Sequence, residues 1–323
     1  MINIKFESLF SDDIKGFIEE KRSIGYKYQK GCKELKRFDK FVLENYHTET
    51  ILTKEIVMEW TKKSPYEKDN TQYRRISLLR GLGKYMVAIG KEAYIYPKQQ
   101  NKISRYQYTP YIFSEDEVQK LFTASDNYPS SQASPYIHLL IPCLMRLLYG
   151  SGLRISEALN LKIQDIDFDE GNIYIYNAKF KKERILPIAG SIINRLAEYS
   201  KIIVSYNYPN DWLFPSPLYD NHYNSSTIYK IFRKLLKTAG IPHTGEGPRL
   251  HDIRHTFAVH RLKKWVLENQ DLNNCLPYLS IYMGHQDLRG TQHYLRLTSD
   301  MYPNLIYKLE NLEPSIIPEV RYD

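Results

Sequence analysis

The chain has 323 residues, 42% hydrophobic and 25% charged, a globular balance with room for two domains and their cores. Its net charge of +8 is uneven: residues 1–100 carry 20 Lys+Arg against 14 Asp+Glu, or +6, and the rest carry 25 against 23, or +2, so the N-terminal third suits a polyanion unless it is merely a mildly basic soluble domain. Cys32, Cys143 and Cys275 are too scattered for a disulfide framework or a zinc module, the opening MINIKFESLFSDD lacks the basic head and apolar core of a signal peptide, and the longest apolar run, 137–149, is broken by Arg146 and too short to span a bilayer.

Residues 1–97 read as helical. FIEEKRSIGYKY and CKELKRFDKFVLENY repeat apolar residues at three- and four-residue steps, with Leu35, Phe38, Phe41 and Val42 as one stripe and Lys33, Lys36, Arg37 and Lys40 between them. A further helix is expected to begin near Thr53. Another covers TQYRRISLLRGLGKYMVAIG, with Ile76, Leu79, Leu82, Tyr85 and Met86 inward and Arg74, Arg75, Arg80 and Lys84 on an outer surface. Each basic run alone suits a solvated helix face; several on one small domain point to phosphate contact. The segment 98–110 has little periodicity and reads as a linker, with Lys98, Lys102 and Arg105 available to follow a nucleic-acid backbone.

Ser114 with Glu117 three residues later forms a capping box that opens the second domain, 111–323. IHLLIPCLMRLLYG is apolar nearly all round and is expected to be a buried central helix ended by Gly150-Ser151-Gly152. The next helix, in LRISEALNL, starts with Arg154. A cation there opposes the helix dipole, so either a pairing with Glu157 or a demand from outside the helix holds it. NIYIY and RILPI read as strands of a β-meander joined by NAKFKKE, whose lysines Lys179, Lys181 and Lys182 fit either a soluble turn or a flexible arm toward a substrate. Residues 190–240 read as mostly helical around a loop at WLFPSPLYDNHY. Pro248 sets the entry to a helix bearing His251 and Arg254, three apart and so on one face. His285 follows a Met-Gly step, and Tyr294 lies nine residues further on. Two imidazoles, a guanidinium and a phenol suit an oxyanion substrate attacked by tyrosine, best a phosphodiester. With 28 tyrosines in the chain, only this position singles Tyr294 out. An amphipathic helix, NLIYKLENLEPSII, is expected after it.

Four separated pieces, YGSGLRISEAL, AKFKKERILPI, HDIRHTFA and MGHQDLRGTQHY, stand in the order found in tyrosine recombinases, and the chain resembles this phage-integrase-type family over about 109–300. The resemblance implies a mainly α fold with a small antiparallel β-sheet: an N-terminal helical core-binding domain and a C-terminal α+β catalytic domain that together clamp duplex DNA. It implies that Arg154 and Arg254 are the catalytic arginines, Glu157 supports Arg154, His251 takes the nucleophile's proton, His285 adds a hydrogen bond, Lys179 protonates the leaving oxygen and Tyr294 is the nucleophile. The family hairpin often reads Gly-Lys-Gly where this chain has Ala178-Lys179-Phe180, which leaves Lys181 as the alternative to Lys179. The segment between Arg254 and His285 is also longer than in compact members. The implied activity is site-specific recombination through a 3′-phosphotyrosyl intermediate, without metal, ATP or other cofactor, by a cytoplasmic, nucleoid-associated protein of a mobile element. The implied partners are double-stranded DNA and, on paired sites, three further copies in a homotetramer, with a monomer or dimer off DNA and no membrane. A type IB topoisomerase and a catalytically silent DNA-binding accessory protein are the competing readings.

Overall fold

The computed structural model of the chain divides into two compact units, Met1–Tyr108 and Thr109–Asp323. It describes residues 5–26, 28–98, 109–176, 183–206, 211–218, 220–244, 247–285, 290, 291 and 294. Most of the expected linker, with Lys102 and Arg105, lies outside these residues, as do Lys179, Lys181, Lys182 and the expected C-terminal helix.

The first unit is helical: α1 Ser11–Ser23, α2 Gln29–Asn45, α3 Lys54–Thr61 and α4 Asp69–Ala88. The apolar stripes meet as their spacing requires, with Ile14, Phe17, Leu35, Phe38, Val42, Ile56, Leu79, Leu82 and Met86 in one core. Phe41 and Tyr85 sit half-buried at its edge. Thr53 caps α3, its hydroxyl accepting from the Ile56 amide at 3.3 Å. A buried carboxylate anchors the entry to the unit. Asp39 accepts from the Glu7 and Ser8 amides, each at 3.0 Å, and pairs with Lys36 at 3.1 Å. Burial pushes its carboxyl upward, but these bonds outweigh the loss of solvent and hold it below the usual range.

The four basic residues of α4 divide in two. Arg74 and Lys84 are exposed. Arg75 instead forks onto Glu67, donates to the carbonyls of Trp60 and Lys62, and lies over the Trp60 ring at 5.3 Å. Arg80 donates to the carbonyls of Tyr96 and Pro97, both at 2.8 Å. Half of the expected basic face therefore ties α4 to the chain around it. Helical periodicity alone cannot separate an arginine that caps distant carbonyls from one that faces water.

In the second unit, α5 Glu115–Asp126 carries the expected capping box of Ser114 and Glu117. The apolar helix α6 Ile137–Ser151 is buried on nearly every side, against α5 and two later helices, α8 Gly190–Ser205 and α10 Asp252–Leu267. Between α6 and α8 run a short helix, α7 Ile155–Leu159, and the meander β1 Ile166–Asp167, β2 Asn172–Ile175 and β3 Arg184–Pro187. The sheet is antiparallel in the order β1-β2-β3, with Ile173 opposite both Ile166 and Leu186. α9 Ser225–Thr238 follows the expected loop, and the long stretch between Arg254 and His285 is occupied by the rest of α10 and by α11 Leu272–Met283. A second apolar cluster joins Phe257, Val259 and Leu262 of α10 to Leu279 and Met283 of α11 and to Tyr294. Among the described residues no helix is long and apolar enough to cross a membrane. The mainly α fold with one small antiparallel sheet is the one expected.

Gly152 ends α6 in the left-handed region at φ +59, and a Cβ there would lie 2.4 Å from Cδ1 of Phe257. Gly152→Ala should destabilise the chain by about 2–4 kcal/mol, from left-handed strain plus overpacking. Gly190→Ala, at the start of α8 with open space around it, should be neutral or slightly stabilising. Urea unfolding of the two variants checks the contrast.

Candidate active site

Four stretches far apart in the chain bring charged side chains to one place: the start of α7, the first residue of β3, the start of α10, and the end of α11 with the segment beyond it. Their meeting point is built from helix ends. The last carbonyls of a helix have no partner inside it and carry the negative end of its dipole, so they suit guanidiniums. Arg254, on the first turn of α10 and only 2% exposed, donates from Nη1 to the Gly152 carbonyl at the end of α6 and from Nη2 to the Met283 carbonyl at the end of α11, both at 2.6 Å. Arg154 donates from Nη2 to the neighbouring Gly284 carbonyl at 3.2 Å. Gly284 is left-handed at φ +66, a turn that lets consecutive carbonyls face two arginines.

The pairing considered for Arg154 is present. Its Nη1 lies 2.7 Å from Oε1 of Glu157, whose other oxygen accepts from the Arg154 amide at 3.1 Å. A third guanidinium shares that carboxylate: Arg184 of β3 donates to Oε2 of Glu157 at 2.9 Å and to the Tyr282 carbonyl at 3.0 Å. Burial alone would push the Glu157 carboxyl upward. The hydrogen bonds and charges of Arg184, then of Arg154, outweigh it and hold the pKa below the ordinary value. One carboxylate thus bonds two guanidiniums, with Arg254 held on carbonyls nearby, and the excess positive charge suits an anion. Burial, then the charge of Arg154, lowers Arg254 to about 10, so it stays a cation at neutral pH.

Tyr294 is 3% exposed and seated in the α10–α11 apolar cluster. Burial raises its phenol pKa, opposed by the charge of Arg254, by a hydrogen bond from it, and by the charge of Arg154. Its Oη lies 3.1 Å from Nδ1 of His255, and the His285 ring stacks beside it with centroids 6.1 Å apart. His285 is itself held by Thr291, Nδ1 to Oγ1 at 2.7 Å. His251 stands just before α10, an exposed residue whose ring meets His255 edge-on at 4.9 Å. Although the residue as a whole is exposed, its ring is packed against His255, and solvent lost there, then the charges of Arg254 and Arg154, lower its pKa to about 4.

Of the residues singled out from the sequence, the structure brings together Arg154, Glu157, His251, Arg254, His285 and Tyr294; Lys179 lies outside the described residues. Arg184, His255 and Thr291 were not singled out. Alternation along β3 carries a signal for Arg184: it shares the face of buried Leu186, while Ile185 between them is 57% exposed. For His255 the signal is its place one helical turn after His251. Among the described residues, no group of three or more His, Cys, Asp or Glu is arranged to hold a metal ion.

The lowered His251 pKa has a sign that can be checked. The unfolded imidazole titrates near 6.5 and the folded one near 4, so between those values the unfolded chain binds more protons. This contribution to stability is complete above about pH 6.5 and is lost as pH falls toward 4. Urea unfolding across that window should show a shallower pH dependence for His251→Gln than for the wild type. In Arg154→Ala, histidine proton NMR should find the His251 pKa raised.

The sequence model described as the phage integrase family matches residues 112–301. A putative integrase/recombinase, y4rB of Sinorhizobium fredii, is 30% identical over 94% of this chain and 98% of that protein. A tyrosine recombinase of Pseudothermotoga lettingae is 29% identical over 85% and 89%. In fold, the chain is similar to XerH recombinase bound to its difH substrate, with TM-score 0.62, 22% identity and coverage of 90% and 84%. It is also similar to a lambda integrase tetramer bound to a Holliday junction, with TM-score 0.61, 17% identity and coverage of 90% and 78%. On the family match across most of the second unit and a relative aligned along nearly its whole length, the chain belongs to the phage integrase family, the site-specific tyrosine recombinases.

Proposed function

We propose that this chain cuts and rejoins duplex DNA at specific sites through a 3′-phosphotyrosyl link to Tyr294, as the recombinase of a mobile element. The observation that carries the reading is that Arg154 and Arg254 are held on the consecutive carbonyls of Gly284 and Met283 at the end of α11, beside His285, whose ring stacks on that of Tyr294.

A phosphodiester is already anionic, and attack adds charge to its non-bridging oxygens. Planar guanidiniums bind such oxygens in pairs, and arginines fixed in advance by carbonyls and a carboxylate need no rearrangement at the moment of reaction. Arg154 and Arg254 take that role, Glu157 keeps Arg154 in place, and His251 and His285 supply further hydrogen bonds. Neutral His251 can also accept a proton. Lys179, with Lys181 as the alternative, protonates the leaving 5′-oxygen. The phosphotyrosyl link conserves the energy of the broken bond, so rejoining needs neither ATP nor metal. The known lambda integrase tetramer on a Holliday junction supports assembly of this chain as a homotetramer on paired DNA sites. Exposed Arg74 and Lys84 of α4 are offered as phosphate contacts, and a cytoplasmic, nucleoid-associated location follows from the substrate.

A nicked suicide duplex drawn from the DNA flanking the coding sequence tests the reading. The wild type should form a covalent adduct that survives denaturant, and Tyr294→Phe should form none. Arg154→Lys, which keeps charge and loses the planar fork, should slow adduct formation by roughly 10²–10³-fold. An adduct in Tyr294→Phe would remove Tyr294 as nucleophile. Relaxation of plasmids without exchange between paired sites would favour a topoisomerase instead.

A further inference from the structure

The attacking phenol must lose its proton, and the geometry around its oxygen limits where that proton goes. A phenol has one hydrogen to donate. A guanidinium can only donate, so Arg254 lowers the phenol pKa without being able to take its proton. The contact with His255 is of the other kind. An imidazole nitrogen without hydrogen accepts, and Nδ1 of His255 lies 3.1 Å from Oη of Tyr294, with the two rings tilted at 55° and their centroids 5.5 Å apart. With the ring hydrogen on Nε2, Nδ1 is the acceptor of the phenol hydrogen at that distance. His251, edge-on to His255, is the more exposed of the two residues.

We propose that His255 is the catalytic base that takes the proton from Tyr294, with His251 left to hydrogen-bond the phosphate. The inference rests on the reading of Tyr294 as nucleophile. In the forward step the Tyr294 O–H bond breaks and its proton passes to Nδ1 of His255, giving an imidazolium. The Oη–phosphorus bond forms, the phosphorus–5′-oxygen bond breaks, and the leaving oxygen takes a proton from the lysine of the proposed reading, Lys179 or its alternative Lys181. In rejoining, a 5′-hydroxyl returns a proton to the lysine as it attacks, and the departing phenolate recovers its proton from His255. Among the described residues, His255 meets His251, just before α10, and Tyr294, beyond α11, beside which His285 stacks; the wider site adds Arg254 of α10, Arg154 at the start of α7, Glu157 of α7 and Arg184 of β3. The excess of guanidiniums disfavours a second cation and drives the proton back once the phosphate has been released.

Single-turnover adduct formation on the nicked duplex that the wild type captures, followed from pH 6 to pH 10, tests the assignment together with duplex affinity by mobility shift. His255→Asn keeps a hydrogen-bond acceptor near the Nδ1 position but cannot hold a proton. It should bind DNA as the wild type does, react roughly 10²-fold more slowly at neutral pH, and recover about ten-fold per pH unit as the phenol ionises unaided. His251→Asn, run beside it, should be slow without alkaline recovery. A wild-type rate in His255→Asn overturns the proposal. So does a loss that alkaline pH leaves in place, or alkaline recovery in His251→Asn alone. An adduct in Tyr294→Phe would instead defeat the underlying reading, and that arm is scored separately.

Discussion

The site depends on holding three like charges together, two of them buried and the third, Arg154, partly exposed. Guanidiniums at this spacing repel, and removing them from solvent is costly unless each finds an opposite charge or a carbonyl. The chain meets both demands with one carboxylate and two helix ends. Glu157 lies between Arg154 and Arg184, while the carbonyls at the ends of α6 and α11 receive Arg254 and Arg154. Removal of the carboxylate would leave buried cations unmatched, so the same bonds that stabilise the unit also orient the pocket.

This arrangement links the small sheet to the pocket. Arg184 begins β3, directly after the lysine-bearing connection, and its guanidinium reaches both Glu157 and the carbonyl of Tyr282. A displacement of β3 would therefore be felt by the carboxylate that positions Arg154. Arg254 and Tyr294 are almost fully buried, while Arg154 and His251 are more exposed. Tyr294 rests in an apolar cluster distinct from the main core, so packing of α10 against α11 sets where the phenol oxygen stands.

In the first unit, charge and structure divide differently. Arg75 and Arg80 are satisfied by carbonyls and Glu67 within that unit, while Arg74 and Lys84 face solvent. The basic character of the N-terminal third therefore overstates the charge free to meet a polyanion.

The sequence by itself determined the helices, because apolar residues at three- and four-residue steps have one way to be buried together, and the capping box at Ser114 marked its helix to the residue. It also determined the meander and the family, since four motifs in fixed order are specific where each alone is not. Tertiary structure decided which charges act together. Arg184 reads as one more cation after a lysine run, and only the approach of β3 to α7 and α11 gives it Glu157 and a carbonyl. His255 reads as the residue after an arginine, and only the tertiary placement of Tyr294 sets a phenol oxygen against its ring. Local spacing fixes which face of an element a side chain occupies; what stands opposite that face depends on distant parts of the chain.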